Sequence, residues 1–244
     1  MEIDIYSKKY IHYYSGEILT LIKNIFNKYN IKIMADLGSG DGSILYSLSK
    51  NGYLDNMEKV IAVDISKERI NNVKKINSKI LCVVADVCNL GLRNNIHLDL
   101  IISTQVIEHV PDDRKLIEEV YRVLDKKGIF YLSTVFKKWY GWYFYRCNGK
   151  WVLDPTHLRE YVDDNQLLCL FEKYNFEILE NKKKLQWFPI TDFIFKRIGV
   201  KRDIYNNKIL KVFRNIKIPI LGYYNWELVL KKRIYEYSKQ NGIK

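Results

Sequence analysis

The chain has 244 residues, 48% of them hydrophobic and 28% charged, with a formal net charge of +12. That length suits one α/β domain with insertions, and the balance of apolar and charged residues excludes a disordered or fibrous chain. No signal-peptide pattern and no apolar run of about 18 residues is visible, so a cytoplasmic location is expected. Cys82, Cys88, Cys147 and Cys169 form neither a C-x-x-C pair nor a zinc spacing and read as reduced structural thiols.

Taken in order, residues 1–14 are rich in tyrosine (Tyr6, Tyr10, Tyr13, Tyr14) and carry His12. Residues 15–29 read as an amphipathic helix with Ser15 as N-cap and Ile18, Leu19, Ile22 and Phe26 on one face. The apolar run Ile33 to Ala35 then ends at Asp36 and passes through Gly38, Gly40 and Gly42 into a helical pattern carrying Ile44, Leu45 and Leu48. This is a buried strand turning sharply into a helix, the first unit of an open α/β sheet. The glycines permit positive φ and remove every Cβ that would keep a ligand off the backbone. Amides at the start of the helix favour polar or anionic groups.

Strands are expected near 32–37, 59–64, 80–86, 98–103 and 128–135, with helices near 42–51, 66–77 and 112–124. Such alternation implies a mainly parallel sheet covered on both faces. Ligands bind beyond the carboxyl ends of such strands, where Asp36, Asp64, Asp86 and the stretch from Ser103 to Gln105 converge. A lone strand-end Asp is often a helix cap; three on one sheet edge beside a glycine turn point to binding.

Phe136 to Arg146 packs seven aromatics into eleven residues. Either Trp139 and Trp142 form an exposed wall for a flat or sugar-like ligand, or the span packs an inserted helix. Asp154 to Tyr161 reads as a turn fixed by Pro155, before a helix over Asp163 to Tyr174. Strands are expected at Phe176–Leu179 and, antiparallel, at Trp226–Leu230. Between them, Asn181 to Lys217 holds eleven Lys/Arg against Asp192 and Asp203, so this segment carries +9 of the +12. Trp187, Phe188, Phe193, Phe195, Tyr205 and Phe213 are interleaved. The segment reads either as a site for an anionic partner, such as a phosphate-bearing molecule, a lipid carrier or RNA, or as a solvated basic face.

Asp36-Leu37-Gly38-Ser39-Gly40-Asp41-Gly42, then Asp64, then Ala85-Asp86-Val87, then Val106-Ile107-Glu108-His109-Val110-Pro111-Asp112 together resemble the class I S-adenosylmethionine-dependent methyltransferases. Within them the chain is similar to the branch containing the ubiquinone and menaquinone biosynthesis enzymes, over about residues 30 to 135. The resemblance implies a Rossmann-like, seven-stranded, mainly parallel sheet with helices on both faces and a basic aromatic insertion before the last strand. It implies one domain over 1–244: cap helices in 1–30, a cofactor core in 31–135, an acceptor-site insertion in 136–174, a basic lid in 183–217, and the last strand and tail in 218–244.

The resemblance also implies S-adenosylmethionine as cofactor. The backbone of Gly38, Ser39 and Gly40 would approach its methionine and ribose, with Asp36 near the amino group and Asp64 accepting both ribose hydroxyls. Ile65 would pack on the adenine face, and Asp86 and the Val87 amide would read the adenine edge. The N-terminal segment would fold over the cofactor, or its tyrosines belong to a packing helix. Ser103-Thr104-Gln105-Val106 replaces the Asn/Asp-Pro-Pro-aromatic turn of enzymes that methylate amino groups of bases. The implied acceptor is therefore a small molecule, sugar or lipid-linked group methylated on oxygen, with an RNA methyltransferase as the alternative.

Asp154-Pro155-Thr156-His157-Leu158-Arg159-Glu160-Tyr161 resembles an element at the cleft mouth in this branch. His157 is the first candidate for general base and His109 the second, because imidazole titrates near neutrality. Each is equally read as bonding a loop carbonyl. Trp139, Trp142, Tyr161 and Trp187 are the candidate acceptor contacts. Some relatives hold a divalent metal with Glu-x-x-Glu-His. Here Gln105 takes the first place, leaving Glu108 and His109, with His157 as a distal candidate, and no metal is expected.

Overall fold

The computed structural model describes residues 14, 16–92, 96–147, 149–189, 194, 198 and 217–233. Four apolar runs form its parallel centre: β1 (Ile33–Leu37), β2 (Lys59–Asp64), β3 (Ile80–Val84) and β4 (Leu98–Thr104). β5 (Leu124–Lys137) continues the parallel set, while β9 (Lys217–Lys232) runs antiparallel between β5 and β8 (Phe176–Pro189). The seven strands lie in the order β3-β2-β1-β4-β5-β9-β8. Direction along the sheet reverses between β1 and β4, which opens a crevice at their carboxyl ends.

Helices cover both faces. α1 (Thr20–Lys28), α2 (Ser43–Lys50) and α3 (Lys67–Val73) bury Leu21, Ile22, Ile25, Leu45, Leu48, Ile70 and Val73 against Met34, Leu100, Ile102 and Tyr131. On the other face, α4 (Asp113–Val123) and α5 (Asn165–Lys173) bury Leu116, Ile117, Val120, Leu167 and Phe171 against Ile101, Phe130 and Leu132. Asp112 caps α4 by accepting the Arg114 N–H at 3.1 Å, and Ser66 occupies the same place before α3. Burying each large apolar side chain contributes about 1.5–3 kcal/mol, so the central strands are held by both layers at once.

Three of the expected elements differ in the structure, and a fourth lies largely outside the described residues. α1 starts at Thr20, with Leu19 at the N-cap, and Ser15, Tyr6, Tyr10, His12 and Tyr13 lie outside the described residues. Among the described residues between β5 and Pro155 there is no inserted helix. A small hairpin of β6 (Tyr145–Cys147) and β7 (Lys150–Val152) stands there instead. β8 and β9 are far longer than the four and five residues expected, and pair along most of their length. Most of the basic segment, including Phe193, Phe195, Tyr205 and Phe213, lies outside the described residues, as does the tail beyond Arg233.

Candidate active site

The turn after β1 is built from two close approaches. Gly38 has φ +70°, and a Cβ there would sit 2.3 Å from Val106 Cγ2, so only glycine lets the segment after β4 close over the turn. Gly40 has φ +54°, and an added Cβ would meet nothing nearer than Arg69 Nη1 at 4.0 Å. One glycine is needed for packing; the other leaves open space above the backbone. The Gly38 and Ser39 amides donate to the Val63 carbonyl at 2.8 and 2.9 Å, which fastens the turn to β2.

Asp64, at the end of β2, accepts the Gly40 N–H at 2.8 Å on one oxygen and the Ser66 N–H at 2.9 Å on the other. It is buried and fixed, with lone pairs left to face the crevice. Asp36 differs. It is 1% exposed, and neither carboxylate oxygen has a hydrogen-bond partner among the described residues. Burial, and then the nearby charge of Asp64, pushes its carboxyl up to about 7. Ser39 Oγ and Ser103 Oγ are likewise buried without a partner among the described residues. Ile65 is exposed beside Asp64, an apolar face on the rim. Asp86 accepts the Cys88 N–H at 2.8 Å, and the Val87 side chain belongs to the core. The three strand-end acids therefore do share one sheet edge, in three different environments.

The stretch after β4 is locked to the element carrying His157. Gln105 takes φ +54°, rare for a residue with a side chain; its N–H donates to the Ser133 carbonyl, and its side-chain amide donates to Asn225 Oδ1 at 3.1 Å. The Arg159 guanidinium donates to the carbonyls of Ile107, Val110 and Pro111 at 2.7–2.8 Å. Glu108 is fully buried and accepts the Thr134 hydroxyl at 3.0 Å, while its other oxygen has no partner among the described residues. Burial pushes its carboxyl up to about 7. His109 packs edge-on to His157 with centroids 4.8 Å apart, and burial, aided by His157, lowers its pKa. Donor atoms of Glu108, His109 and His157 all lie within 4.8 Å of one another.

The signal that sequence reading missed is Glu160. Its Oε1 lies 3.0 Å from His157 Nδ1 and accepts the Leu153 N–H at 2.6 Å. Lys137 Nζ and the Tyr223 hydroxyl reach its other oxygen at 3.7 and 3.4 Å. A glutamate three residues after a histidine is the signal available in advance; it acquires meaning only once the chain turns there. The pair borders a cavity of about 400 Å³ lined by Lys137, Lys150, Trp151, His157, Glu160 and Gln166. Tyr161 is buried against Trp226 and donates to Asp113 Oδ2 at 3.2 Å, so its ring belongs to the core. Trp139, Trp142 and Trp187 are exposed and do not line this cavity.

Comparison with known proteins supplies the family. The family model described as a methyltransferase domain matches residues 35–132, the span that holds the glycine turn and all three acids. The chain is 28% identical over 197 residues to a ubiquinone biosynthesis O-methyltransferase of Pelagibacter ubique (strain HTCC1062), covering 76% of each chain. The chain is a class I S-adenosylmethionine-dependent methyltransferase.

The methyltransferase is also 29% identical over 115 residues to the human arsenite methyltransferase, covering 41% of this chain and 30% of that one. Among solved structures it resembles the YcgJ protein of a Bacillus (TM-score 0.56, 18% identity, 88% of this chain and 97% of that one). It equally resembles the [4+2]-cyclase SpnF (TM-score 0.60, 16% identity, 88% and 79%). Likeness at that level establishes the fold alone.

S-adenosylmethionine is the cofactor of this class, and the residues present fit it. The cofactor carries an ammonium group, and Asp36 offers a buried carboxylate with both oxygens open among the described residues. Its adenosine needs room over the turn, which the open side of Gly40 gives. Among the described residues, no helix is long and apolar enough to cross a membrane.

Proposed function

We propose that this methyltransferase transfers a methyl group to an oxygen of a small-molecule acceptor, a ring, sugar or lipid-linked hydroxyl, with His157 as the base. The observation that carries the reading is the His157–Glu160 pair at 3.0 Å beside a cavity of about 400 Å³. A Nδ1–H donated to Glu160 leaves Nε2 as the acceptor for a hydroxyl proton, and the carboxylate stabilises the imidazolium that forms. The ubiquinone biosynthesis O-methyltransferases among the relatives support methylation on oxygen.

When bound, the cofactor supplies an electrophilic methyl on a sulfonium. Asp36 would pair with its ammonium, Asp64 would accept from the ribose hydroxyls, Ile65 would cover the adenine, and Asp86 and the Val87 amide would meet its edge. The backbone of Gly38, Ser39 and Gly40 would lie close to it, with Ser103 and Gln105 completing the cofactor side of the crevice. Alignment in a site shielded from water provides much of the rate enhancement.

The test is release of S-adenosylhomocysteine with a panel of catechols, hydroxybenzoates and methyl glycosides. His157→Ala should lower kcat about 100-fold or more with cofactor affinity within about twofold. Full turnover in that variant removes His157 as base.

A second reading rests on the donor atoms of Glu108, His109 and His157, which lie within 4.8 Å of one another. Such a set can hold a divalent cation that acidifies the acceptor hydroxyl directly. Protein purified without chelator that carries no bound metal, with activity indifferent to chelator, removes this reading.

A further inference from the structure

The exposed tryptophans have another use. The loop after β5 is clamped to the near ends of β8 and β9: the Lys138 N–H donates to the Gly222 carbonyl at 2.8 Å, and the Trp142 N–H to that of Leu221 at 3.4 Å. A Cβ on Gly222 would lie 2.5 Å from Gly141 Cα, so the two backbones touch. Trp187 pairs with Pro219 and Phe188 with Ile218 across β8 and β9, and Tyr143 packs on Phe188 with centroids 6.1 Å apart. Three segments thus form one surface. It presents Trp139 at 91%, Leu221 at 68% and Phe144 at 66% exposure, with Trp142, Trp187 and Ile218 about half exposed.

Exposed apolar surface on this scale marks a binding face. Its charge is one-sided. Residues 136–153, 181–189 and 217–226 contain no Asp or Glu, although the chain has 28. Lys138, Arg146, Lys150 and Lys217 are exposed among them. Protein interfaces are depleted of lysine, whereas Lys138, Lys150 and Lys217 edge this surface. Nucleic acid would stack on the aromatics but has nothing to solvate Leu221 and Ile218. A bilayer offers hydrocarbon for the aliphatic tips, the headgroup zone for tryptophan and tyrosine, and anionic lipids for the cations.

We propose that this surface docks the methyltransferase on an anionic lipid bilayer. β6 and β7 bear part of it, and Lys150 and Trp151 of β7 also line the cavity holding His157. Docking therefore brings the cavity beside the membrane, where a lipid-soluble acceptor would be concentrated. The proposal does not depend on which atom is methylated.

The test is co-sedimentation of the full chain in 0.1 M salt (about a 10 Å screening length) with phosphatidylcholine vesicles, with and without phosphatidylglycerol at about one lipid in three. Wild type should partition to the mixed vesicles, and K138Q/R146Q/K217Q should lose about fivefold per cation removed. W139S/F144S/L221S should lose at least about tenfold. Circular dichroism and S-adenosylhomocysteine affinity should be unchanged in both variants, which excludes unfolding. Three results overturn the proposal: wild type that stays in the supernatant, a tryptophan variant that binds vesicles as well as wild type, or a surface that instead protects RNA or closes a dimer.

Discussion

His157 Nδ1 and Glu160 Oε1 lie 3.0 Å apart, three residues along one turn, and both side chains are almost wholly buried. Glu160 is held in turn by the Leu153 amide, the Lys137 ammonium and the Tyr223 hydroxyl, so the carboxylate has little freedom to leave the imidazole. A geometry so constrained sets the tautomer of His157 as well as its position.

Glu160→Gln should therefore cost activity without costing cofactor affinity. The amide can still accept from His157, but it lacks the charge that stabilises an imidazolium. The expected loss in kcat is about 10- to 100-fold, smaller than for His157→Ala, with KM for S-adenosylmethionine within about twofold. Equal kcat in Glu160→Gln and wild type would reduce the carboxylate to a structural tie.

Gly38 and Val106 should couple. Gly38→Ala introduces a Cβ at 2.3 Å from Val106 Cγ2 and forces alanine to φ +70°, so it should destabilise by about 1–3 kcal/mol and weaken cofactor binding. Val106→Ala in the same chain removes the clash but not the backbone strain, so it should restore only part of that loss. Urea unfolding of the two single variants and the double measures the coupling. Strictly additive effects would mean that the clash relaxes elsewhere.

Asp36 gives the cofactor site a pH dependence. Its carboxyl is held at about 7 by burial and by Asp64, and only the ionised form pairs with an ammonium. It is ionised above that value and protonated below it, although at about pH 8 deprotonation of the cofactor's own ammonium offsets part of the gain. Affinity should therefore fall by about fivefold as pH drops from 7 to 6. Asp36→Asn should bind weakly at both pH values and lose the dependence. Calorimetry at the two pH values decides it; a flat profile in wild type contradicts the assignment.

Glu227 is buried in the middle of β9, with its Oε1 accepting the Tyr131 hydroxyl at 2.7 Å and Oε2 2.8 Å from Lys184 Nζ. Burial, with the Glu227 charge beside it, raises the Tyr131 phenol far above its ordinary range, so it stays a donor. Tyr131→Phe leaves a buried carboxylate oxygen without that donor and should cost about 1–3 kcal/mol in urea unfolding. Tyr131→Phe with Glu227→Leu should be closer to wild type than the sum of the two singles. Additive losses would show that the pair is not coupled.

The parallel strands were legible because they are buried on both faces and read as unbroken apolar runs; Lys59–Asp64 fell where expected to the residue. β8 and β9 were seen only at their apolar ends. Lys182, Lys183 and Lys184 look like a solvated charge run, yet Lys183 Nζ lies 4.6 Å from the Trp226 ring centroid and pairs with Asp164. The β6–β7 hairpin carried its own announcement in Asn148-Gly149, a strong turn signal hidden by the aromatics around it. In the site, the three acids were readable because each stands at or just past the end of an apolar run, Asp86 two residues beyond β3. Glu160 was not, since an i,i+3 pair has no fixed meaning before the local turn is known.

The central claim is that the edge formed by Asp36, the glycine turn and Asp64 takes the adenosyl sulfonium. Titration of the whole chain with S-adenosylmethionine at pH 8 tests it most directly. The account predicts one site per chain, weakened at least about tenfold by Asp64→Ala, which removes a charge-assisted contact. No heat with wild type, or an isotherm that Asp64→Ala leaves unchanged, would contradict it.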